Sequence, residues 1–249
     1  MDLRKRLDPA ERYGLRLTLF AVAVMLVAVP FGILTDQVVR NGPLLEVDNG
    51  VAEAIHDWVV SRPAWFVTVT RTISDMGRPP FLTLLCGAAS LYLIRAGRIR
   101  LAVFVVTTAI LGGIVDTVVK VLVDRPRPVF DEVIATAYGK SFPSGHAMSS
   151  TVVYGALLLV FLPVIPRRAR PFAFGATATL VLAICATRLA LGVHFLSDVV
   201  GGVVLGLAWL TASVAAFRVW RTDRGVPAEP VAEGLEPEAK ADLEAPVHP

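Results

Sequence analysis

Charge is what this sequence has least of. Only 18% of its 249 residues are Asp, Glu, Lys or Arg, while 55% are apolar and the mean hydropathy is +0.63. That balance excludes an ordinary soluble domain, in which about a quarter of the residues are charged, and it points to a membrane protein. The basic residues do not line one polar surface but stand in short clusters between apolar runs, so the net charge of +3 does not describe a nucleic-acid-binding protein. Cysteine is almost missing as well. Cys86 and Cys185 each lie inside an apolar run, where a free thiol behaves as a small hydrophobe and carries no information about redox compartment. No internal repeat is present.

What is present is a series of long apolar stretches, approximately Leu15 to Leu34, Phe81 to Ile94, Leu101 to Val119, Ala147 to Ile165, Pro171 to Ala190 and Val199 to Phe217. Most approach the ~20 residues that a helix needs to cross a bilayer core. The expectation is an all-α, polytopic membrane protein with six transmembrane helices over residues 15–220, preceded by a basic cytoplasmic N-terminus over 1–14. The first stretch follows Arg4, Lys5, Arg6 and Arg12 and is read as an uncleaved anchor, being too long for a signal-peptide core. Clusters at Arg95, Arg98 and Arg100, at Arg167, Arg168 and Arg170, and at Arg218, Arg221 and Arg224 fall on the same side as that N-terminus. By the positive-inside bias, both termini are then cytoplasmic in the plasma membrane.

Between the first two spans Val47, Val51, Ile55 and Trp58 recur at helical spacing among Glu46, Asp48, Glu53 and Asp57. This predicts an amphipathic helix on the extracytoplasmic side, lying in the interface or packed over the bundle. After Arg224 the chain turns to Pro, Ala, Glu and Gly, a composition that predicts a disordered cytoplasmic tail over 221–249.

Three segments concentrate the unexpected polar residues, and the six-span topology brings all three to the extracytoplasmic face. They are Lys120 to Pro128, which contains Arg125 and Arg127; Pro143-Ser144-Gly145-His146; and Thr187-Arg188 through His194 to Asp198. These segments resemble the K-x6-R-P, P-S-G-H and S-R-x5-H-x3-D signatures of the type 2 phosphatidic acid phosphatase superfamily, in its membrane branch. The one departure is Thr187, where the family usually has serine, and it keeps the hydroxyl. The resemblance implies a lipid phosphate phosphatase in which His194 is the nucleophile and forms a phosphohistidine, with His146 protonating the leaving alkoxide.

The residue chemistry agrees with those roles. A phosphoryl group in transfer carries charge on several oxygens, so the protein mainly needs fixed cations and donors around it, which Lys120, Arg127 and Arg188 supply. Three cations gathered near a membrane make poor design without an anionic ligand. Ser144 and Gly145 open an apolar helix, where a serine cap and free backbone N–H groups suit an anion. His194 and Asp198 are four apart and share a helical face, so the carboxylate can fix one ring nitrogen and leave the other to attack phosphorus.

Asp116 lies one turn before Lys120, either aiming it or contacting a neighbouring helix. Arg125 either meets the headgroup or a second phosphate, or pairs with Asp131. A divalent metal is not expected among Lys120, Arg127 and Arg188 without a run of carboxylates, and no cofactor is implied. Expected substrates are undecaprenyl diphosphate, phosphatidic acid and phosphatidylglycerol phosphate, with the isoprenoid first for assay. The rival readings are a lipid phosphotransferase using the same histidine and a non-catalytic binder or transporter of lipid phosphates. Oligomeric state is not legible.

Overall fold

A computed structural model describes residues 29–40, 42–222 and 231–244. The basic N-terminus and most of the first apolar stretch lie outside the described residues. Every regular element among the described residues is helical: α1 (Val29–Val39), α2 (Leu44–Val60), α3 (Ala64–Asp75), α4 (Pro79–Arg95), α5 (Ile99–Val123), α6 (Gly145–Phe161), α7 (Arg170–Ala190), α8 (Leu196–Thr222) and the short α9 (Lys240–Glu244), with single 3-10 turns between.

Four described helical segments are long and apolar enough to cross a membrane: Ile99–Val123, Gly145–Val164, Arg167–Ala190 and Leu196–Arg221. The 17-residue α4 is apolar but shorter. Large apolar side chains such as Leu84, Ile110, Val121, Leu122, Phe172 and Leu182 point outward from α4, α5 and α7. Such an array would be unfavourable in water but suits hydrocarbon, where helix contacts rely on close packing.

The central helix is α6, whose Ala147, Met148, Val152, Val153, Ala156 and Val160 are buried. It packs most extensively against α8, and two glycines make that contact possible. A Cβ on Gly202 would come within 2.6 Å of the Ser144 carbonyl oxygen, and one on Gly206 within 3.0 Å of the Met148 carbonyl. This small-xxx-small face lets the two backbones approach closely and sets the start of α6 beside the start of α8. Helix α5 stops where Asp124 adopts a left-handed conformation (φ 54°), and the prolines at 126 and 128 prevent resumption of the helix. The segment 124–144 therefore crosses the bundle end as irregular chain.

Two features differ from the sequence reading. Helix α2 is present, but two of its polar residues turn inward: Asp48 and His56 are buried with Val59, whereas Glu46, Glu53 and Asp57 are exposed and Val47 and Trp58 are about half exposed. The helix α3 that follows it was not anticipated. Secondly, the tail is not without structure over 231–244. Leu235, Ala239 and Leu243 are buried in the main core cluster with Leu93, Leu101, Leu159 and Leu162. Basic residues at that end of the bundle meet its acidic ones: Arg170 pairs with Glu233 at 2.9 Å, while Arg221 meets Glu238 and Arg98 meets Asp242. Composition suggested a chain unable to bury a core; three apolar residues spaced by four, with carboxylates matching fixed arginines, were enough.

Candidate active site

The C-terminal ends of α5 and α7 and the N-terminal ends of α6 and α8 meet at one end of the bundle. There α5, α6, α7, α3, α4, the 124–144 segment and His194 line an open cavity of about 1150 Å³. Lys120, Arg127, Gly145, His146, Arg188 and His194 all line it, as does Asp116.

His194 precedes α8 and is 3% exposed. Its Nδ1 is 3.3 Å from Oδ2 of Asp198, and its Nε2 is 3.0 Å from Nη1 of Arg127. Asp198 Oδ2 also accepts from the Ser141 hydroxyl and from the Phe195 backbone N–H at 2.9 Å. Arg127 is fixed by carbonyls: Nη1 donates to Val193 at 2.7 Å, Nε to Gly139 at 3.0 Å, and Nη2 to Tyr138 and Lys140, each at 3.1 Å. Burial pushes the His194 pKa down to about 4; the Asp198 carboxylate pulls it upward, and Arg127 and Arg188 lower it further. At neutral pH the ring is therefore uncharged.

The Lys120 ammonium holds both oxygens of Asp116, at 2.8 and 2.7 Å, and donates to the Pro143 carbonyl at 2.6 Å. Of the two roles open for Asp116, the contact is with Lys120. This ion pair lies directly against the start of α6, since a Cβ on Gly145 would come 3.1 Å from Asp116 Oδ2 and 3.3 Å from Lys120 Nζ. His146 follows, and its buried Nε2 has no hydrogen-bond partner among the described residues. Arg188, 9% exposed, donates from Nη1 to the Ser74 hydroxyl at 2.7 Å, while its Nε has no partner among the described residues. Both residues line the cavity, and neither unmatched nitrogen is committed to a protein partner among the described residues.

A family model described as the PAP2 superfamily matches residues 101–222. That segment, just under half of the chain, is similar to the PAP2 superfamily. Among individual relatives, phosphatidylglycerophosphatase B of Bacillus subtilis (strain 168) is 26% identical over 183 residues, covering 71% of this chain and 86% of the relative. The fold matches the crystal structure of the first transmembrane PAP2 type phosphatidylglycerolphosphate phosphatase from Bacillus subtilis, with a TM-score of 0.70 and 22% identity. That match covers 83% of this chain and 98% of the other.

Not every expected site residue faces the cavity. Ser144 is fully buried, does not line the cavity, and makes no side-chain cap to α6, although it occupies the N-cap position. Its backbone N–H instead donates to the Asp198 carbonyl at 2.9 Å, tying α6 to α8. Arg125 contacts neither Asp131 nor the cavity; it is 6% exposed and pairs with Asp48 and Asp198, each at 2.7 Å. Sequence reasoning missed Ser74, Ser141 and Asp48. Ser74 and Ser141 carry no sequence signal of their own. Asp48 was read only as one of four carboxylates between the apolar positions of an amphipathic helix, without a role in the site.

Proposed function

We propose that this protein is a membrane hydrolase that removes phosphate from a lipid phosphate through a phosphohistidine at His194. The observation that carries the reading is the His194 imidazole, whose Nε2 is 3.0 Å from Arg127 at a cavity also lined by Lys120 and Arg188. Guanidinium groups only donate, so the lone pair of His194 lies on Nε2 and the ring proton on Nδ1, toward Asp198. Attack by Nε2 on phosphorus builds positive charge on the imidazole, which Asp198 stabilises, while Lys120, Arg127 and Arg188 offset the charge on the phosphoryl oxygens. His146 gives a proton to the departing lipid oxygen. It then takes one from the water that hydrolyses the phosphohistidine, which releases inorganic phosphate and restores both rings.

The cavity continues from these polar groups along Leu82, Val106 and Ile110 on α4 and α5, so a lipid can keep its tail in the bilayer while its phosphate reaches His194. The reading places the site on the extracytoplasmic face, with both termini in the cytoplasm. Turnover requires no divalent metal, because three fixed cations already surround the phosphoryl position and repel another.

Phosphate release from phosphatidylglycerol phosphate, undecaprenyl diphosphate and phosphatidic acid tests the proposal, using purified wild type and His194→Ala in EDTA. Wild-type release that the variant abolishes supports it. A folded variant with undiminished turnover removes His194 from the mechanism, and activity that EDTA abolishes and magnesium restores removes metal independence. Adding an acceptor alcohol detects transfer in place of hydrolysis.

A further inference from the structure

Asp48 is fully buried on α2, outside the three motifs and outside residues 101–222 matched by the family model, and no step above uses it. Both of its oxygens are engaged. Oδ1 accepts the Ser197 backbone N–H at 2.9 Å, at the positive end of α8; Oδ2 accepts from Arg125 Nη2 at 2.7 Å and from the Ser197 hydroxyl. The other amino group of Arg125 donates to Asp198 Oδ1 and to Ser197 Oγ, each at 2.7 Å. The guanidinium lies 4.2 Å from the centre of the Phe195 ring. A carboxylate, a guanidinium and a second carboxylate thus form one buried chain that ends on the partner of His194.

Such a chain is weak evidence of a stabilising role, because well-packed apolar groups often hold helices as firmly as a buried ion pair does. Its geometry relates more closely to the reaction. One amino group of Arg125 serves Asp48 and the other serves Asp198 Oδ1, which leaves Asp198 Oδ2 to His194, Ser141 and the Phe195 N–H. Without Asp48, both amino groups of Arg125 can close onto Asp198 in a bidentate fork, the arrangement preferred by an isolated arginine and carboxylate. That fork would draw Oδ2 from Nδ1 of His194.

We propose that Asp48 is a positioning residue for catalysis: by dividing Arg125 between two carboxylates and anchoring the start of α8, it keeps Asp198 aimed at His194. The proposal rests on the phosphohistidine reading above. It makes α2 part of the working site without contact with substrate.

The test compares full-length wild type, Asp48→Asn, Arg125→Met and the double variant on one lipid phosphate, with turnover expressed per folded molecule from size-exclusion profiles. Asp48→Asn is expected to lower kcat by roughly tenfold or more, as partners behind a reacting group commonly do, with KM and inhibition by inorganic phosphate within about twofold. In the Arg125→Met background the same change should cost less than about twofold, since the two act through one chain. A purely structural role would reduce the folded fraction but leave turnover per folded molecule unchanged; that result, or full additivity with Arg125→Met, overturns the proposal. Should Asp48→Asn fail to assemble, Ser197→Ala removes only the hydroxyl shared by Asp48 and Arg125, and the same two outcomes decide. If wild type itself releases no phosphate, the hydrolase reading fails; if wild type is active and Asp48→Asn equals it, only the role of Asp48 fails.

Discussion

Arg127 Nη1 lies 3.0 Å from His194 Nε2, the ring nitrogen turned away from Asp198. A guanidinium has no lone pair to offer, so in this contact Nε2 is the acceptor and the ring proton belongs on Nδ1, toward Asp198. The contact links the first motif to the third through a guanidinium whose other partners are all main-chain carbonyls.

Arg188 is steered by a residue from outside the motifs. Replacing it with alanine should lower kcat/KM on the order of 10²-fold or more, the usual cost of a preorganised donor to a developing anion. Ser74→Ala removes only the acceptor 2.7 Å from Nη1. It should cost roughly tenfold, consistent with about 1.5 kcal/mol for a hydrogen bond to a charged group. Steady-state kinetics on both variants check the ranking; equal losses, or none for Arg188→Ala, contradict it.

His194 sets a pH dependence whose sign follows from its burial. Its pKa falls from 6.5 to about 4 in the folded chain, so the unfolded chain takes up a proton first as pH falls. Its contribution to stability is fully present above about 6.5 and is lost as pH falls through the window down to about 4. For turnover, the acid limb due to His194 should lie near 4 instead of 6.5, once the ionisation of the lipid phosphate is accounted for. Arg127→Ala removes one of the charges that lower it, so in the residual activity that limb should move upward. A limb that stays fixed in Arg127→Ala counts against the assigned cause.

Asp116→Asn tests the aiming of Lys120. The ammonium would keep its 2.6 Å contact with the Pro143 carbonyl but lose the carboxylate that holds it against the start of α6. Turnover should fall on the order of tenfold with folding intact, as for a displaced charge at a phosphoryl site. Unchanged turnover in a folded variant removes Asp116 from the site.

The motif residues stood out as lysine, arginine and histidine in an apolar chain and through their resemblance to the family signatures, and Lys120, Arg127, His146, Arg188 and His194 do line one cavity. Helices α5, α6, α7 and α8 were legible as long apolar runs. Asp48, Ser74 and Ser141 were not, because each acts through a partner distant in sequence: Arg125, Arg188 and Asp198 respectively. The burial of Asp48 on α2 was not legible because its partner Arg125 lies 77 residues away and was read as meeting a headgroup, a second phosphate or Asp131. Once that guanidinium is buried, the carboxylate must follow it.

The 231–244 segment offers a stability test separate from catalysis. Leu235 is 3% exposed in the main core cluster, and its carbonyl accepts from Arg221. Leu235→Ala should cost about 2–4 kcal/mol and lower Tm in detergent by roughly 5 °C or more. Turnover per folded molecule should be unchanged, since the segment packs on the bundle away from the cavity. An unchanged Tm would mean that this packing contributes nothing.

The most direct measurement is the covalent one. Wild type mixed with a lipid carrying labelled phosphate is quenched in alkali within one turnover, then digested and mapped. The account predicts label on His194 that is stable in alkali, is lost in acid and is absent from His194→Ala. Label on another residue, or turnover with no phosphoenzyme when hydrolysis is slowed by His146→Ala, would contradict it.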